Sequence, residues 1–343
     1  MPATIKDVAR AAGVSVATVS RAMNGLDKVL PETRQRILDA ARELRFTPSG
    51  AARSLITRRT DTIGALLPDL HGEYFSELIR GIDQAARARG LHLLVSSSHG
   101  DADEAAAALR AMNGRVDGLL MMSPHVDGDF LQHNLPGRLP AVLISTGLDV
   151  PGQVRFVVDN HGGAKAMTRH LAASGRRRIA FVTGPQANEE SAERLRGYRD
   201  GLRAGATAIV VDGDFSEESG WAAGRRIAQM KPRPDAVFAA NDMMAIGCLA
   251  ALGEAGLRVP EDIALAGFDD IPISRYVAPA LTTIRVPIAA LGAAALDALV
   301  KVVEQPESRS AHTTVLPVEL IVRRSCGAGP PSRPQPPAPP PAH

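Results

Sequence analysis

The stretch GVSVATVSRAMNG, residues 13–25, decides the fold of the N-terminal part of the chain. It carries hydroxyls at Ser15, Thr18 and Ser20, where a helix of a soluble core would present Leu, Met or another large side chain. Gly13 favours the end of a preceding helix, and Ser15 is a favourable N-cap for the next one. We therefore expect a short helix that can approach another surface closely.

Helical periodicity on both sides of this stretch predicts three helices, of which the first two form a helix-turn-helix. Pro31 suits the first turn of the third helix. The residues expected to face inward are Ile5, Val8, Ala9 and Ala12 in the first helix and Ile37, Leu38, Ala41 and Leu44 in the third. In the second helix, the spacing predicts partial burial of Val16, Val19 and Met23.

The charge is distributed unevenly along the chain. Residues 1–59 contain eleven basic and five acidic residues, a net charge of +6, whereas the remaining chain carries −4. A basic head on a slightly acidic body indicates a module that binds a polyanion, although a solvated basic face would give the same count. Aromatic residues make up only 3% of the chain, which argues against binding by extensive base stacking.

The second helix has the chemistry of a helix that enters the major groove of DNA. Ser15 and Ser20 can bind phosphate oxygens and set the register. Arg21 can donate two hydrogen bonds to guanine, and Val16 and Ala17 can contact a thymine methyl group. The alternative is a small helical hairpin with a capping serine.

Two longer stretches, TIKDVARAAGVSVATVSRAMNG and PETRQRILDAARELRFTPSGAARSL, resemble the headpiece of the lac-repressor (LacI/GalR) family of bacterial transcription regulators. The resemblance implies a helix-turn-helix domain over residues 1–46 and a hinge helix in a linker over residues 47–60. It departs from the family at Leu30, where a serine is frequent. The DNA-binding residues that we predict are Thr4, Ser15, Val16, Ala17, Thr18, Ser20, Arg21, Asn24, Ala52, Arg53 and Leu55.

The resemblance also assigns a role to the linker. Leu55 corresponds to the leucine that the family wedges into a central base step of the minor groove, and Ala52 and Arg53 correspond to neighbouring contacts. Such a wedge unstacks bases in exchange for contacts that the kink permits. The alternative is a flexible basic linker with an incidental leucine.

From Thr60 onward, apolar strand-like runs alternate with helical stretches, which predicts an α/β fold with two parallel-sheet halves. The resemblance implies a periplasmic-binding-protein-like core over residues 61–325, built from two doubly wound subdomains joined by three crossovers. We place the N-subdomain at about 61–158 plus 286–316 and the C-subdomain at about 159–285 plus 317–325. The proline-rich stretch 326–343 is expected to be disordered.

Polar residues follow several of the predicted strands, at the sheet edge where open α/β folds bind ligands. The candidates are Asp69, Ser145, Arg194, Phe215, Asn241 and Asp269, and the resemblance adds Phe75 on the wall that carries Asp69. Carboxylates, an amide, an arginine and aromatic rings together are typical of a sugar site. Each aspartate taken alone is equally a turn or N-cap residue.

Two departures bear on the ligand. Ser145 stands where many family members have an aspartate, and Glu189 and Glu190 precede Arg194 where a purine-binding member would have a cationic or small polar residue. We therefore expect a mono- or oligosaccharide rather than a purine. The two glutamates could instead pair with Arg196 or Arg199 and not contact the ligand.

Other classes of protein find no support in the sequence. There is no glycine-rich phosphate fingerprint, no serine elbow and no histidine spacing for a metal, so we expect neither an enzyme nor a cofactor. Cys248 and Cys326 are expected to be free thiols in a reducing cytoplasm. The N-terminus has no signal peptide and no apolar run could span a membrane, which argues against an exported solute-binding protein.

The sequence therefore predicts a cytoplasmic transcriptional repressor of carbohydrate-utilisation genes. No leucine heptad follows the core, so we expect a homodimer that binds a palindromic operator and is released by a small saccharide. The alternative is a regulator that needs a non-sugar metabolite as corepressor.

Overall fold

The computed structural model describes residues 3–23, 29–46, 59–122, 128–135, 139–145, 153–305 and 311–328. They form two compact units, one over residues up to 62 together with 114–117, and a larger one over the rest. Within the described parts of the chain, no helix is long and apolar enough to cross a membrane. No group of three or more metal-binding side chains occurs in these parts.

The smaller unit contains the predicted helices α1 (Ile5–Ala11), α2 (Val16–Met23) and α3 (Pro31–Glu43). Gly13 has a φ of +62°, a conformation that glycine adopts without strain, and this turns the chain between α1 and α2. The Thr18 amide donates to Ser15 Oγ over 3.1 Å, so Ser15 caps α2 as its sequence position predicts.

The core of this unit is small and built where the three helices meet. Val8, Val19 and Ile37 are fully buried, together with alanines from each helix. The prediction that Leu38 and Leu44 face inward is wrong, because they are 36% and 38% exposed. The predicted partial burial of Val16 is wrong for the same reason, since this side chain is 40% exposed. The face of α3 is completed by small alanines instead, which allow the helices to approach closely.

In the larger unit, one sheet has six strands in the order β11-β5-β4-β3-β1-β2. The pairs β1–β3, β3–β4, β4–β5 and β5–β11 are parallel. The strands are β1 (Thr62–Leu67), β2 (His92–Ser97), β3 (Gly118–Met121), β4 (Ala141–Ile144), β5 (Val154–Val158) and β11 (His312–Leu316). The associated helices are α4 (Glu73–Arg87), α5 (Ala102–Met112), α6 (Gly128–Asn134) and α11 (Ile288–Glu304).

The second sheet is parallel, with four strands in the order β7-β6-β8-β9. Its strands are β6 (Ile179–Val182), β7 (Ile209–Val211), β8 (Ala236–Ala239) and β9 (Ala264–Ala266), and its helices are α7 (Asn160–Ala173), α8 (Glu189–Gly201), α9 (Glu217–Gln229) and α10 (Asp242–Glu254). An antiparallel pair, β10 (Thr283–Arg285) and β12 (Glu319–Ile321), stands apart from both sheets.

The chain passes between the two halves of this unit three times: after β5, between β10 and α11, and between β11 and β12. The predicted fold class, a helix-turn-helix head with a core of two parallel-sheet halves, is confirmed. The exact domain limits stay a prediction.

Close packing of α4 on α11 supports the first sheet. A Cβ atom on Gly81 would overlap the carbonyl oxygen of Ala289, and one on Gly292 would lie 2.7 Å from the carbonyl oxygen of Leu78. Both glycines are therefore required by backbone proximity rather than by turn geometry.

Candidate functional site

The outer face of α2 carries most of the predicted DNA-binding side chains. Ser15, Val16, Ala17 and Arg21 are exposed, whereas Thr18 and Ser20 are half-buried. Burial of Val19 and Ala22 on the opposite side of the same helix keeps this face at the surface. The helix therefore presents hydroxyls, methyl groups and one guanidinium together.

The remaining head candidates have different surroundings. Thr4 precedes α1, and its amide and hydroxyl donate to Asp7 Oδ2 over 3.0 and 2.7 Å. These bonds lower the pKa of Asp7 and hold the start of α1. Four predicted residues lie outside the described parts of the chain: Asn24, Ala52, Arg53 and Leu55.

In the larger unit, the predicted arginine is the centre of a buried polar group. Arg194, only 3% exposed, donates from Nε to Asn160 Oδ1 over 2.8 Å and from Nη1 to the carbonyl oxygen of Ala240 over 2.6 Å. Nη1 also lies 3.3 Å from Asp269 Oδ1. The guanidinium stacks 4.0 Å from the centre of the Phe268 ring, so its position is restrained on every side.

Three buried polar atoms near this arginine make no hydrogen bond of normal geometry with the described residues. They are the Tyr74 hydroxyl and Ser145 Oγ, which interact with each other, and Asp269 Oδ1, which keeps only its 3.3 Å ionic contact with Arg194. An unpaired buried polar atom costs about 1–3 kcal/mol, and native proteins rarely leave several together without a ligand or water. We call Tyr74, Ser145, Asn160, Glu190, Arg194 and Asp269 the Arg194 cluster.

Electrostatic effects show that the members of the Arg194 cluster lie close to one another. The pKa of Tyr74 is raised first by burial and then by the carboxylates of Glu190 and Asp269, and it is lowered by Arg194 and Ser145. Tyr74 and Ser145 come from the half with the first sheet, and the other members come from the half with the second. The cluster therefore joins the two halves of the unit.

Burial also raises the pKa values of two carboxyl groups. The pKa of Asp269 is raised to about 7, because burial outweighs the stabilising charge of Arg194 and the carboxylate of Glu190 adds repulsion. Burial and the charge of Asp269 raise the pKa of Asp242 as well. Asp242 is otherwise structural, since it accepts hydrogen bonds from Thr283 Oγ1 over 2.6 Å and from the Ile271 amide over 3.0 Å.

Backbone strain is concentrated around the Arg194 cluster. Ser145, Phe215, Asp269 and Asp270 have φ angles of 49°, 76°, 111° and 56°, a region that non-glycine residues rarely adopt. Such conformations persist only where the surrounding structure enforces them, and they are frequent at binding sites. Three of these four positions are predicted effector residues.

The other predicted residues differ in how directly they face the cluster. The Phe215 ring lies 5.9 Å from the Arg194 guanidinium and leaves no room for a side chain at Gly184. Asn241 caps α10 through Oδ1 and donates from Nδ2 to the Phe215 carbonyl over 2.9 Å, so it positions the aromatic residue. Phe75 packs edge-to-face on Tyr74, with ring centres 5.5 Å apart.

Asp69 has the position of a turn residue. It is exposed, and its Oδ1 accepts hydrogen bonds from the amides of Leu70 and His71 over 2.6 and 3.0 Å. The structure therefore does not bring Asp69 into the buried cluster. Its role as an effector residue stays a prediction.

Sequence reasoning missed Tyr74 and Asn160. Asn160 follows strand β5, so the strand-end pattern contained the signal, whereas Tyr74 stands inside a helix and only its neighbour Phe75 was noted. The suggested pairing of Glu190 with Arg196 is wrong. Arg196 pairs with Glu193, and Glu190 instead accepts a hydrogen bond from Asn160 Nδ2 over 3.3 Å.

Two family profiles match separate parts of the chain. Residues 4–49 match the bacterial regulatory proteins of the lacI family, and residues 168–326 match a periplasmic binding protein-like domain. The HTH-type transcriptional repressor PurR of Edwardsiella ictaluri is 38% identical over 96% of this chain and 98% of its own length. The HTH-type transcriptional regulator CelR of Thermobifida fusca is 35% identical over 94% of this chain and 98% of its own.

Solved structures agree over nearly the whole length. The lac repressor dimer bound to operator and the anti-inducer ONPF superposes with a TM-score of 0.85 at 28% identity, covering 95% of this chain and 99% of that one. The complex of the transcriptional regulator CelR with cellobiose superposes with a TM-score of 0.69 at 32% identity, covering 94% and 99%.

Proposed function

The chain belongs to the lacI family of bacterial regulatory proteins, and from this premise we propose that it is a repressor of carbohydrate-utilisation genes that is released from DNA by a saccharide. Its relatives PurR and CelR are transcriptional regulators, and similar solved structures contain the lac repressor with operator and an anti-inducer and CelR with cellobiose. The proposed active form is a homodimer in the cytoplasm, which matches the dimeric lac repressor in its operator complex.

We assign operator reading to the outer face of α2. Two copies of the head would read two half-sites of a palindrome, and each Arg21 would donate to one guanine. Arg21→Ala should relax the base preference at one position per half-site in a selection from random duplexes. Arg42→Ala, which removes the same charge from an exposed position on α3, is the matched control. Equal weakening of all sequences by Arg21→Ala would make Arg21 a phosphate contact.

Effector binding is assigned to the Arg194 cluster, and the observation that supports this assignment is its three buried polar atoms without a hydrogen bond of normal geometry to the described residues. Hydroxyls of a sugar can donate to Asp269 Oδ1 and both donate to and accept from Tyr74 and Ser145. The aromatic rings of Phe75 and Phe215 supply apolar contact area. The similarity to the CelR–cellobiose complex supports a carbohydrate.

A purine is the competing candidate, because PurR repressors are similar over nearly the whole chain. A thermal-shift screen of the protein against saccharides and nucleobases separates the two classes. A ligand that binds the folded protein but not the unfolded chain raises the melting temperature, and the rise grows with the logarithm of the ligand concentration. Stabilisation by nucleobases alone would refute the carbohydrate assignment.

Release of DNA requires that the effector prefer one arrangement of the two halves that contribute to the cluster. A coupling free energy of about 1–3 kcal/mol would change operator affinity about 5–150-fold. We expect the saccharide identified by the screen to weaken operator binding in a fluorescence anisotropy titration. Tighter binding in its presence would make the ligand a corepressor.

A further inference from the structure

The carboxyl groups give the Arg194 cluster spare capacity to accept hydrogen bonds. Asp269 Oδ1 makes only the 3.3 Å ionic contact with Arg194 Nη1, and Glu190 Oε1 receives a 3.3 Å bond from Asn160 Nδ2. Two of the three nitrogens of Arg194 are engaged, since Nε donates to Asn160 Oδ1 and Nη1 donates to the Ala240 carbonyl oxygen. A ligand group that donates hydrogen bonds therefore suits this side of the cluster.

The balance of charge points in the same direction. Two carboxyl groups, the half-buried Glu190 and the buried Asp269, lie near one guanidinium, which contacts Asp269 over 3.3 Å. Repulsion between these carboxyl groups adds to burial in raising the pKa of Asp269 to about 7. A positive group on the ligand would offset this repulsion, whereas an anionic group would add to it.

The two hydroxyl groups of the cluster do not require a ligand group that donates hydrogen bonds or carries a positive charge. Tyr74 and Ser145 interact with each other but make no hydrogen bond of normal geometry with the described residues, and each can donate or accept. They suit the remaining hydroxyl groups of a sugar ring on the side of the first sheet. The two sides of the cluster therefore differ, with neutral hydroxyls on one side and carboxyl groups on the other.

Resting on the saccharide function proposed above, we propose that the effector is an amino sugar whose protonated amine lies between Glu190 and Asp269. Phosphorylated and acidic sugars are excluded from this position. Glu190 is then a specificity-determining residue, because its carboxylate distinguishes an amine from a hydroxyl at the same ring position.

Matched ligands and matched variants test this inference on the intact protein. Glucosamine, galactosamine, mannosamine and the disaccharide of glucosamine are each compared with the parent sugar, the N-acetyl form and, for the monosaccharides, the 6-phosphate. Binding is followed by thermal shift and isothermal titration calorimetry. The variant is Glu190→Gln, and the control is Glu189→Gln, which makes the same change at the adjacent exposed residue.

We expect one amine to bind at least about tenfold more tightly than its parent sugar and its N-acetyl form. Glu190→Gln should weaken that amine about 10- to 100-fold, the range for a hydrogen bond to a charged group, and should reduce its advantage over the parent. Glu189→Gln should leave the affinity for the amine unchanged. Weaker binding in Glu190→Gln alone, with the preference for the amine intact, would mean a structural role and overturn the inference.

The remaining outcomes separate the two proposals. A neutral sugar or a sugar phosphate that binds as tightly as every amine would overturn the amino-sugar inference and leave the saccharide function standing. Failure of every carbohydrate to bind, with or without binding of a nucleobase, would overturn both.

Discussion

Asp269→Asn should make the unliganded protein respond differently to pH, because this carboxyl is buried beside another carboxyl group. Its pKa is raised from 3.8 to about 7 in the folded state, mainly by burial. The folded protein therefore binds more protons than the unfolded chain between these values. The contribution of Asp269 to stability is fully present below pH 4 and is lost as the pH rises through 7.

The magnitude follows from the difference between the two pKa values. A change from 3.8 to about 7 corresponds to about 4 kcal/mol of unfolding free energy lost between pH 4 and 8. Asparagine cannot ionise, and it tolerates the φ of 111° at this position better than most residues do. The free energy of unfolding of Asp269→Asn relative to wild type should therefore rise with pH by up to that amount.

Urea unfolding at pH 5, 6, 7 and 8 measures the difference, with Trp221, the single tryptophan of the chain, as the fluorescent probe. The difference reports the ionisation of Asp269 together with its effect on the pKa of Asp242, which the charge of Asp269 raises. Asp262→Asn is the control, because the hydrogen bonds and charge of Arg258 lower the pKa of this half-buried carboxyl, so the effect of the substitution should be constant over this pH range. Parallel stability curves for wild type and Asp269→Asn would refute the reasoning.

Three further substitutions test other parts of the structure. Gly81→Ala should lower the melting temperature of the larger unit, because overpacking α4 on α11 costs about 1–3 kcal/mol or more. Gly253→Ala in α10 is the control and should be neutral or stabilising, since a Cβ at this position meets nothing within 4 Å. Equal effects of the two substitutions would contradict the packing argument. Ser15→Ala should destabilise the head by about 1 kcal/mol through loss of the α2 cap. Thermal unfolding of the isolated head, once this fragment is shown to be folded, measures the change. An unchanged midpoint would show that the cap is dispensable. Arg194→Ala should abolish the effector-induced thermal shift, because the contacts with Asn160, Ala240 and Asp269 are lost together. An undiminished shift would place the effector outside the Arg194 cluster.

The sequence alone determined the features that depend on local geometry. The three head helices, their glycine turn and the Ser15 cap follow from spacings of three or four residues and from single-residue conformational preferences. The alternation of strands and helices predicted two parallel-sheet halves for a similar reason. Strand ends also identified Ser145 and Asp269, because parallel strands place their carboxyl ends at one edge of a sheet. Arg194 lies inside α8, and the family resemblance assigned its role.

Tertiary structure alone decided which of these side chains meet. Tyr74, inside a helix, is brought to Arg194 and Asp269 by the packing of two halves that are far apart in sequence, whereas Asp69, five residues before it, remains in an exposed turn. The exposure of Leu38 and Leu44 likewise depends on neighbours from distant segments, and so does the pairing of Asp269 with Arg194. Local patterns specify the direction of a side chain along its own element, but burial, pairing and pKa depend on atoms that only the folded chain brings close.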